Sequence, residues 1–265
     1  MVEELTHKNT YTKSIDVIDI PLFDGNIDDA TKYIIEYIQK GGAKKNYCIS
    51  ATGAHGLVTS KNDKDFKKVL QNFHINLPDG MPGVWVGKLM GAKNIERCYG
   101  PDFFESVMIH TSDQNINHYF CGGKEGVANQ LKDACGKKFN NQNIVGTNCP
   151  PFRELSDDEF EILAQEINAL NTDILWIGIS TPKQEKFAYK ISRFTNVRFI
   201  VTVGAAFDFH IGNVKQAPKY IQKMGLEWFF RLCVEPKRLW KRYISIVPLF
   251  IYYNLINILN FNKTK

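Results

Sequence analysis

The 265-residue sequence predicts an α/β fold, a parallel sheet flanked by helices, on three observations. From Ser14 onward, short apolar runs rich in β-branched and aromatic residues alternate with amphipathic stretches of helical period. Several of those runs end abruptly in small or turn-forming residues, as at Thr52-Gly53, Gly122-Gly123, Gly178 and Gly204. The composition, 44% hydrophobic and 23% charged, is that of a folded core, and the length suits one large domain with an appendage.

In chain order, the apolar runs predict strands at Ile15–Ile20, Tyr47–Ala51, His118–Cys121, Ile144–Thr147, Ile174–Ile177 and Phe199–Val203. The intervening amphipathic stretches predict helices at Asp28–Gln39, Asp63–Asn72, Lys124–Lys138, Asp157–Leu170, Lys183–Arg193 and Lys219–Met224. Open α/β sheets take ligands at the carboxyl ends of their strands, so the glycine-rich strand ends are expected to line one crevice.

Composition shifts after Glu227, which divides the chain into a core of residues 1–227 and a basic, aromatic appendage of residues 228–265. Lys237, Arg238, Lys241 and Arg242 crowd together before an apolar stretch interrupted by Pro248, Asn254 and Asn257. That stretch reads as too short and too broken to span a bilayer, for which roughly 20 apolar residues are needed. Cations beside Trp240, Tyr243, Tyr252 and Tyr253 suit a segment lying in the headgroup region of an anionic membrane. The alternative is a helix docked on the core or on a partner subunit.

The net charge of +5 is modest, and no zinc-finger spacing, RNA-binding signature or recognition helix points to nucleic acid. The six cysteines show no CxxC pair or metal-ligand rhythm and read as reduced thiols. The polar N-terminus lacks the apolar stretch of a secretory signal, so a cytoplasmic location is expected.

Candidate chemistry sits in the strand-end turns. Leu77-Pro-Asp-Gly-Met-Pro82 places the Asp79 carboxylate in a tight bend before an apolar helix, with Pro82 suited to a first helical position. Gly122 and Gly123 open a turn in which backbone N–H groups could meet a phosphate. It resembles a degraded dinucleotide fingerprint, but Thr147-Asn148-Cys149 stands where a ribose-binding carboxylate would be wanted. Thr181, Lys183 and Gln184 begin a helix, where Thr181 can cap and Lys183 and Gln184 can meet an anion. Asp208 and His210 follow the strand that ends at Gly204; singly, such residues are more often structural than catalytic.

Taken together, Thr52-Gly-Ala-His-Gly-Leu-Val58, Leu77-Pro-Asp-Gly-Met-Pro82, Glu96-Arg-Cys-Tyr-Gly-Pro-Asp102, Gly178-Ile-Ser-Thr-Pro-Lys-Gln-Glu185, Gly204-Ala-Ala-Phe-Asp-Phe209, Gln216-Ala-Pro218 and Gly225-Leu-Glu-Trp-Phe-Phe-Arg-Leu232 resemble the WecG/TagA/CpsF family of bacterial glycosyltransferases. The resemblance runs from about Ile15 to Tyr243. It implies a Rossmann-like core, a UDP-sugar donor, a polyprenyl-diphosphate-linked sugar acceptor, and inversion at the sugar carbon without a metal or other cofactor. It further implies Asp79 as general base and donor contacts from Thr52, Arg97 and Gln184. Arg231, Arg238 and, more loosely, Lys241 match arginines that the family's appendage holds over the active site. Ala54 and Gln216 stand where many relatives carry Asn and Arg, so the donor sugar does not carry over. Self-association through the tail is a further expectation from relatives. A nucleotide-binding membrane adaptor and an NAD-linked oxidoreductase are the competing readings of the same crevice.

Overall fold

A computed structural model describes residues 13–263. Among them, eight strands form one sheet in the order β1-β2-β4-β3-β8-β7-β5-β6. The strands are β1 (Ser14–Val17), β2 (Ile20–Phe23), β3 (Tyr47–Thr52), β4 (Ile75–Pro78), β5 (His118–Gly122), β6 (Ile144–Asn148), β7 (Ile174–Gly178) and β8 (Phe199–Thr202). Every neighbouring pair is parallel except β1 with β2.

Helices cover both faces of the sheet. They are α1 (Ile27–Gln39), α2 (Ala54–Asn62), α3 (Lys64–Gln71), α4 (Met81–Leu89), α5 (Gly100–His110), α6 (Val127–Phe139), α7 (Asp157–Ala169), α8 (Lys183–Ile191), α9 (Ala206–His210), α10 (Lys219–Lys223), α11 (Glu227–Val234) and α12 (Pro236–Lys263). Alternate strand residues feed opposite cores, as a period of two demands. On β7, Trp176 packs with Phe103 and Phe104 on one face, while Leu175 and Ile177 pack with Phe160 and Ala188 on the other. A third core joins β1 and β2 to α2, α3, α4 and Phe250 of α12.

The single predicted strand Ile15–Ile20 is a hairpin of β1 and β2 instead. Its turn residues Ile18 and Asp19 have φ of 51° and 61°. Left-handed backbone costs an L-residue about 1–2 kcal/mol. Complete burial of Ile18, at about 1.5–3 kcal/mol for such a side chain, offsets the cost. Asp19 is held by Lys61 at 3.0 Å and Lys67 at 2.8 Å. The turn lacks the Asn-Gly or Asp-Gly signal that usually announces such geometry, which hid it in the sequence.

Most predicted helices appear within a residue or two of their expected ends, set by identifiable caps. Asn26 and Asp29 form a capping box on α1, Ser156 and Glu159 form one on α7, and the Asp63 carboxylate accepts from Asp65 and Phe66 at the start of α3. The helix expected from Lys124 begins only at Val127, because Gly126 adopts a left-handed φ of 81° at its cap.

The appendage differs most from expectation. The polar breaks at Pro248, Asn254 and Asn257 do not interrupt it: α12 runs 28 residues in one piece. Its segment Pro236–Leu259 is long and apolar enough, by length and composition, to cross a membrane. One face nevertheless packs on α2 and α11: Phe250 and Asn254 are buried, and the Tyr253 hydroxyl donates to the Asn62 side-chain oxygen at 3.1 Å.

Candidate active site

The carboxyl ends of β3 and β4 lie side by side, in register from Ile49 with Ile75 to Thr52 with Pro78. The chain leaves β4 through Asp79, whose backbone N–H donates to the Thr52 carbonyl at 3.3 Å. Gly80 then caps α4, with Pro82 in its first turn. This bend presents the Asp79 side chain to a cavity of about 420 Å³, roofed by α11 and α12.

Asp79 Oδ1 accepts the backbone N–H of Gly100 at 2.8 Å. Oδ2 lies beneath Gly53: a side chain starting there would place its Cβ 3.5 Å from that oxygen. Burial is the main influence on this carboxyl and lifts its pKa to about 6. The Gly100 N–H and the Arg97 and Arg231 charges pull it down, and Glu227 adds to the rise.

Arg97 joins the floor of the cavity to its roof. Its Nε donates to the Asp79 carbonyl at 3.3 Å, and one terminal nitrogen donates to Gln222 Oε1 at 3.0 Å. The other pairs with Glu227 at the start of α11, and the guanidinium lies 4.2 Å from the centre of the Tyr99 ring. The Tyr99 hydroxyl is pushed well above the ordinary phenol range, by burial first and then by Glu227 and Asp79. Arg231 lies over the Phe209 ring and 3.9 Å from Glu235, while its buried Nε has no hydrogen-bond partner. An arginine on a cavity wall, with its nearest carboxylate 3.9 Å away, is suited to an anionic ligand.

The sequence-derived candidates therefore separate. Asp79, Arg97 and Arg231 share the cavity. Arg238 and Lys241 lie on the exposed side of α12, Arg238 pairing with Glu235 and Lys241 sitting near the Trp240 ring. Thr52, Thr181 and Gln184 belong to a polar network behind the cavity, at the ends of β3, β7 and β8. Thr52 donates to Ser50 at 3.0 Å, Thr181 to Glu185 at 2.8 Å, and Gln184 links Glu185 at 2.9 Å to the Gly204 N–H at 3.0 Å. The Glu185 carboxyl within it is raised by burial, against hydrogen bonds from Gln184, Thr181 and Ser50. Lys183 is exposed at the first turn of α8.

Gly122 and Gly123 have immediate structural uses. A Cβ on Gly122 would lie 2.7 Å from the Gly178 carbonyl, and the Gly123 N–H already donates to that carbonyl at 2.8 Å. The Gly123 donor is thus spent on the β5–β7 edge rather than offered to a phosphate. Asp208 accepts from the Asn213 side chain at 3.2 Å on the short helix α9. His210 is buried and hydrogen-bonded to the Pro101 carbonyl at 3.0 Å.

Sequence reasoning passed over His55, Tyr99, Glu227 and Arg242, all of which line the cavity. All four carried a signal: His55, Tyr99 and Glu227 lie in the Thr52–Val58, Glu96–Asp102 and Gly225–Leu232 runs, and Arg242 in the basic cluster. Burial, aided by the Arg242 charge, lowers the His55 pKa to about 4. Among the described residues, no group of three or more His, Cys, Asp or Glu side chains is placed to hold a metal ion.

A family model described as "Glycosyl transferase WecG/TagA/CpsF family" matches residues 15–264. The chain is similar to an N-acetylglucosaminyldiphosphoundecaprenol N-acetyl-beta-D-mannosaminyltransferase of Bacillus subtilis (strain 168), 26% identical over 230 residues and 86% of each chain. A protein of the same description from Bacillus spizizenii is 29% identical over 203 residues, 77% of this chain and 76% of the relative.

Proposed function

The chain belongs to the WecG/TagA/CpsF family and is a glycosyltransferase, and from that premise we propose that it moves a sugar from UDP to a polyprenyl-diphosphate-linked sugar with inversion. The observation that carries this reading is the Asp79 carboxylate, facing a cavity that also presents Arg97 and Arg231. The acceptor class is that named for the two Bacillus relatives, and the reaction belongs to the building of cell-wall or surface polysaccharide.

An alcohol is a poor nucleophile until its proton is removed. Asp79 Oδ2 takes that proton as the acceptor oxygen attacks the anomeric carbon; the bond from that carbon to the UDP oxygen breaks on the opposite face, which inverts the centre. With a pKa near 6, the carboxyl is mostly ionised at neutral pH and still basic enough to share a proton in the transition state. Such assistance is worth about 10²–10⁴-fold in rate. UDP departs carrying negative charge. Arg231 and Arg97, both lining the cavity, are the cations set to meet it, so no metal is needed for departure in this scheme.

The enzyme is read as peripheral on the cytoplasmic face of the membrane. A helix packed along one face on α2 cannot be surrounded by lipid, whereas its outer face carries Trp240, Ile244, Tyr252 and Leu255 exposed beside Lys237, Arg238 and Lys241. The test of the function is a panel of UDP-hexoses and UDP-N-acetylhexosamines assayed with prenyl-diphosphate-GlcNAc. One donor is expected to give a lipid-linked disaccharide of opposite anomeric configuration, with equimolar UDP. Absence of UDP release across the whole panel, or a product of retained configuration, rejects the reading.

A further inference from the structure

The cavity that holds Asp79 changes character along its length. At the floor stand the Asp79 carboxylate and the Arg97 guanidinium. Asp79 is within electrostatic reach of Arg231, and Arg231 within reach of Arg242, one helix further along the roof. The rest of the lining is apolar: Trp85 and Val86 of α4, with Trp85 against Gly225, and Ile246, Val247, Phe250 and Ile251 of α12, one to two and a half turns past Arg242. From Arg242 to Ile251 the helical wall spans about 14 Å at 1.5 Å per residue.

A nucleotide base or a sugar ring can lie against apolar and aromatic side chains, but neither carries a hydrocarbon segment long enough to run along a wall of this length. Trp85, Val247 and Ile251 line the cavity and remain 48%, 37% and 54% exposed, Val247 and Ile251 at the edge where the cavity wall meets the outer face of α12. Among the described residues Arg242 has no ion-pair partner, and Arg231 keeps its Nε unpaired. The sequence of chemistry along the cleft is therefore hydrocarbon wall, two cations, then a base.

We propose that the cleft between α4 and α12 seats the first isoprene units of the acceptor's prenyl chain, with the acceptor diphosphate on Arg242, the sugar hydroxyl at Asp79, and Arg231 between them left to the departing UDP. The order of groups in the cleft matches the order of groups in such a molecule, and a UDP-sugar has no segment that fits the apolar end. This inference rests on the acceptor class proposed above. It makes α12 part of the acceptor site as well as a membrane contact, and it gives Arg242, His55 beside it, and Trp85 roles in acceptor binding.

The experiment uses the full chain with GlcNAc-diphosphate esters carrying methyl, prenyl, geranyl and farnesyl groups, below their aggregation concentrations and without detergent. In the wild type, kcat/KM is expected to rise by at least about tenfold from methyl to farnesyl, a modest share of what burying that hydrocarbon can supply. In Val247→Asp and Ile251→Asp, both at exposed positions on the cleft wall, the farnesyl-to-methyl ratio is expected to fall to within about threefold of unity. A farnesyl ester ending in a photoreactive diazirine should label residues 81–89 or 244–259 of the wild-type chain. Transfer that proceeds with no dependence on chain length, or labelling confined to other segments, overturns the proposal. Failure to transfer to any of these acceptors instead counts against the proposed reaction, and the labelling still decides whether the cleft takes a prenyl chain.

Discussion

Arg97 and Glu227 form an ion pair across 130 residues of sequence, and that pair closes the roof of the cavity over Asp79. Arg97 also holds the Asp79 carbonyl, so the loop bearing Asp79 and the first turn of α11 are tied to one guanidinium. Their side chains are only 15% and 10% exposed, and removing one partner of a buried pair typically costs about 3–5 kcal/mol. Arg97→Met and Glu227→Gln should each lower stability in urea unfolding by roughly 2 kcal/mol or more, the smaller figure allowing for residual solvent. The double variant should show a coupling of at least about 1 kcal/mol. Additive losses would mean that the pair does not hold the roof.

The raised pKa of Asp79 carries a stability cost with a defined pH window. The folded-state value is about 6 against 3.8 for the ordinary carboxyl, so between those limits the folded state binds more protons than the unfolded chain. Stability therefore falls as pH rises through the window, and the cost is complete above pH 6. Asp79→Asn keeps an oxygen for the Gly100 N–H and removes the buried charge. At pH 7.5 it should melt above the wild type, by up to about 3 kcal/mol of stability, and the difference should vanish by pH 4. A variant less stable than wild type at both pH values contradicts the burial of this charge.

The same ionisation predicts the acid limb of the pH–rate profile. Once Asp79 protonates it cannot accept the acceptor's proton, so kcat/KM should fall about tenfold per pH unit below pH 6. His55, held near pKa 4, stays neutral through that range and adds no step there. An inflection that remains near pH 4 would assign the limb to an unperturbed carboxylate.

Membrane attachment should depend on the exposed cations of α12 rather than on those in the cavity. Each is worth about 1 kcal/mol at an anionic surface, roughly fivefold in binding. Lys237→Gln, Arg238→Gln and Lys241→Gln together should weaken co-sedimentation with phosphatidylglycerol vesicles by about a hundredfold at low salt. Binding unchanged by the three substitutions removes the electrostatic part of the account. Removing the chain after Tyr243 is a blunter test, since it also takes Phe250 from the third core and uncovers α2.

The legible parts of this molecule were those written in local pattern. Apolar runs rich in β-branched and aromatic residues gave β3, β5, β6, β7 and β8, and amphipathic stretches of helical period gave α1, α3 and α7, whose starts the structure caps with Asn26, Asp63 and Ser156. The bend at Asp79 is readable from Pro-Asp-Gly, but that signal alone is as well met by a structural turn, and the singling out of Asp79 as a base comes only from the family resemblance. What stayed hidden depends on contacts distant in sequence. Nothing near Glu227 signals that Arg97 will meet it. The division of the basic cluster into Arg242 facing the cavity and Arg238 and Lys241 facing solvent depends on how α12 rotates against α2. The continuity of α12 was missed because Pro248, Asn254 and Asn257 are breakers only where packing does not compensate, and Asn254 is buried with its amide on the Phe250 carbonyl.

The proposed reaction turns on the Asp79 carboxylate as the group that takes the acceptor's proton. The most direct measurement is the turnover of Asp79→Asn with the best UDP-sugar and a prenyl-diphosphate-GlcNAc acceptor, alongside acceptor binding by the same variant. A fall in kcat of about 10²-fold or more, with acceptor affinity held within a few fold, is the predicted result. Turnover within a few fold of wild type would contradict it.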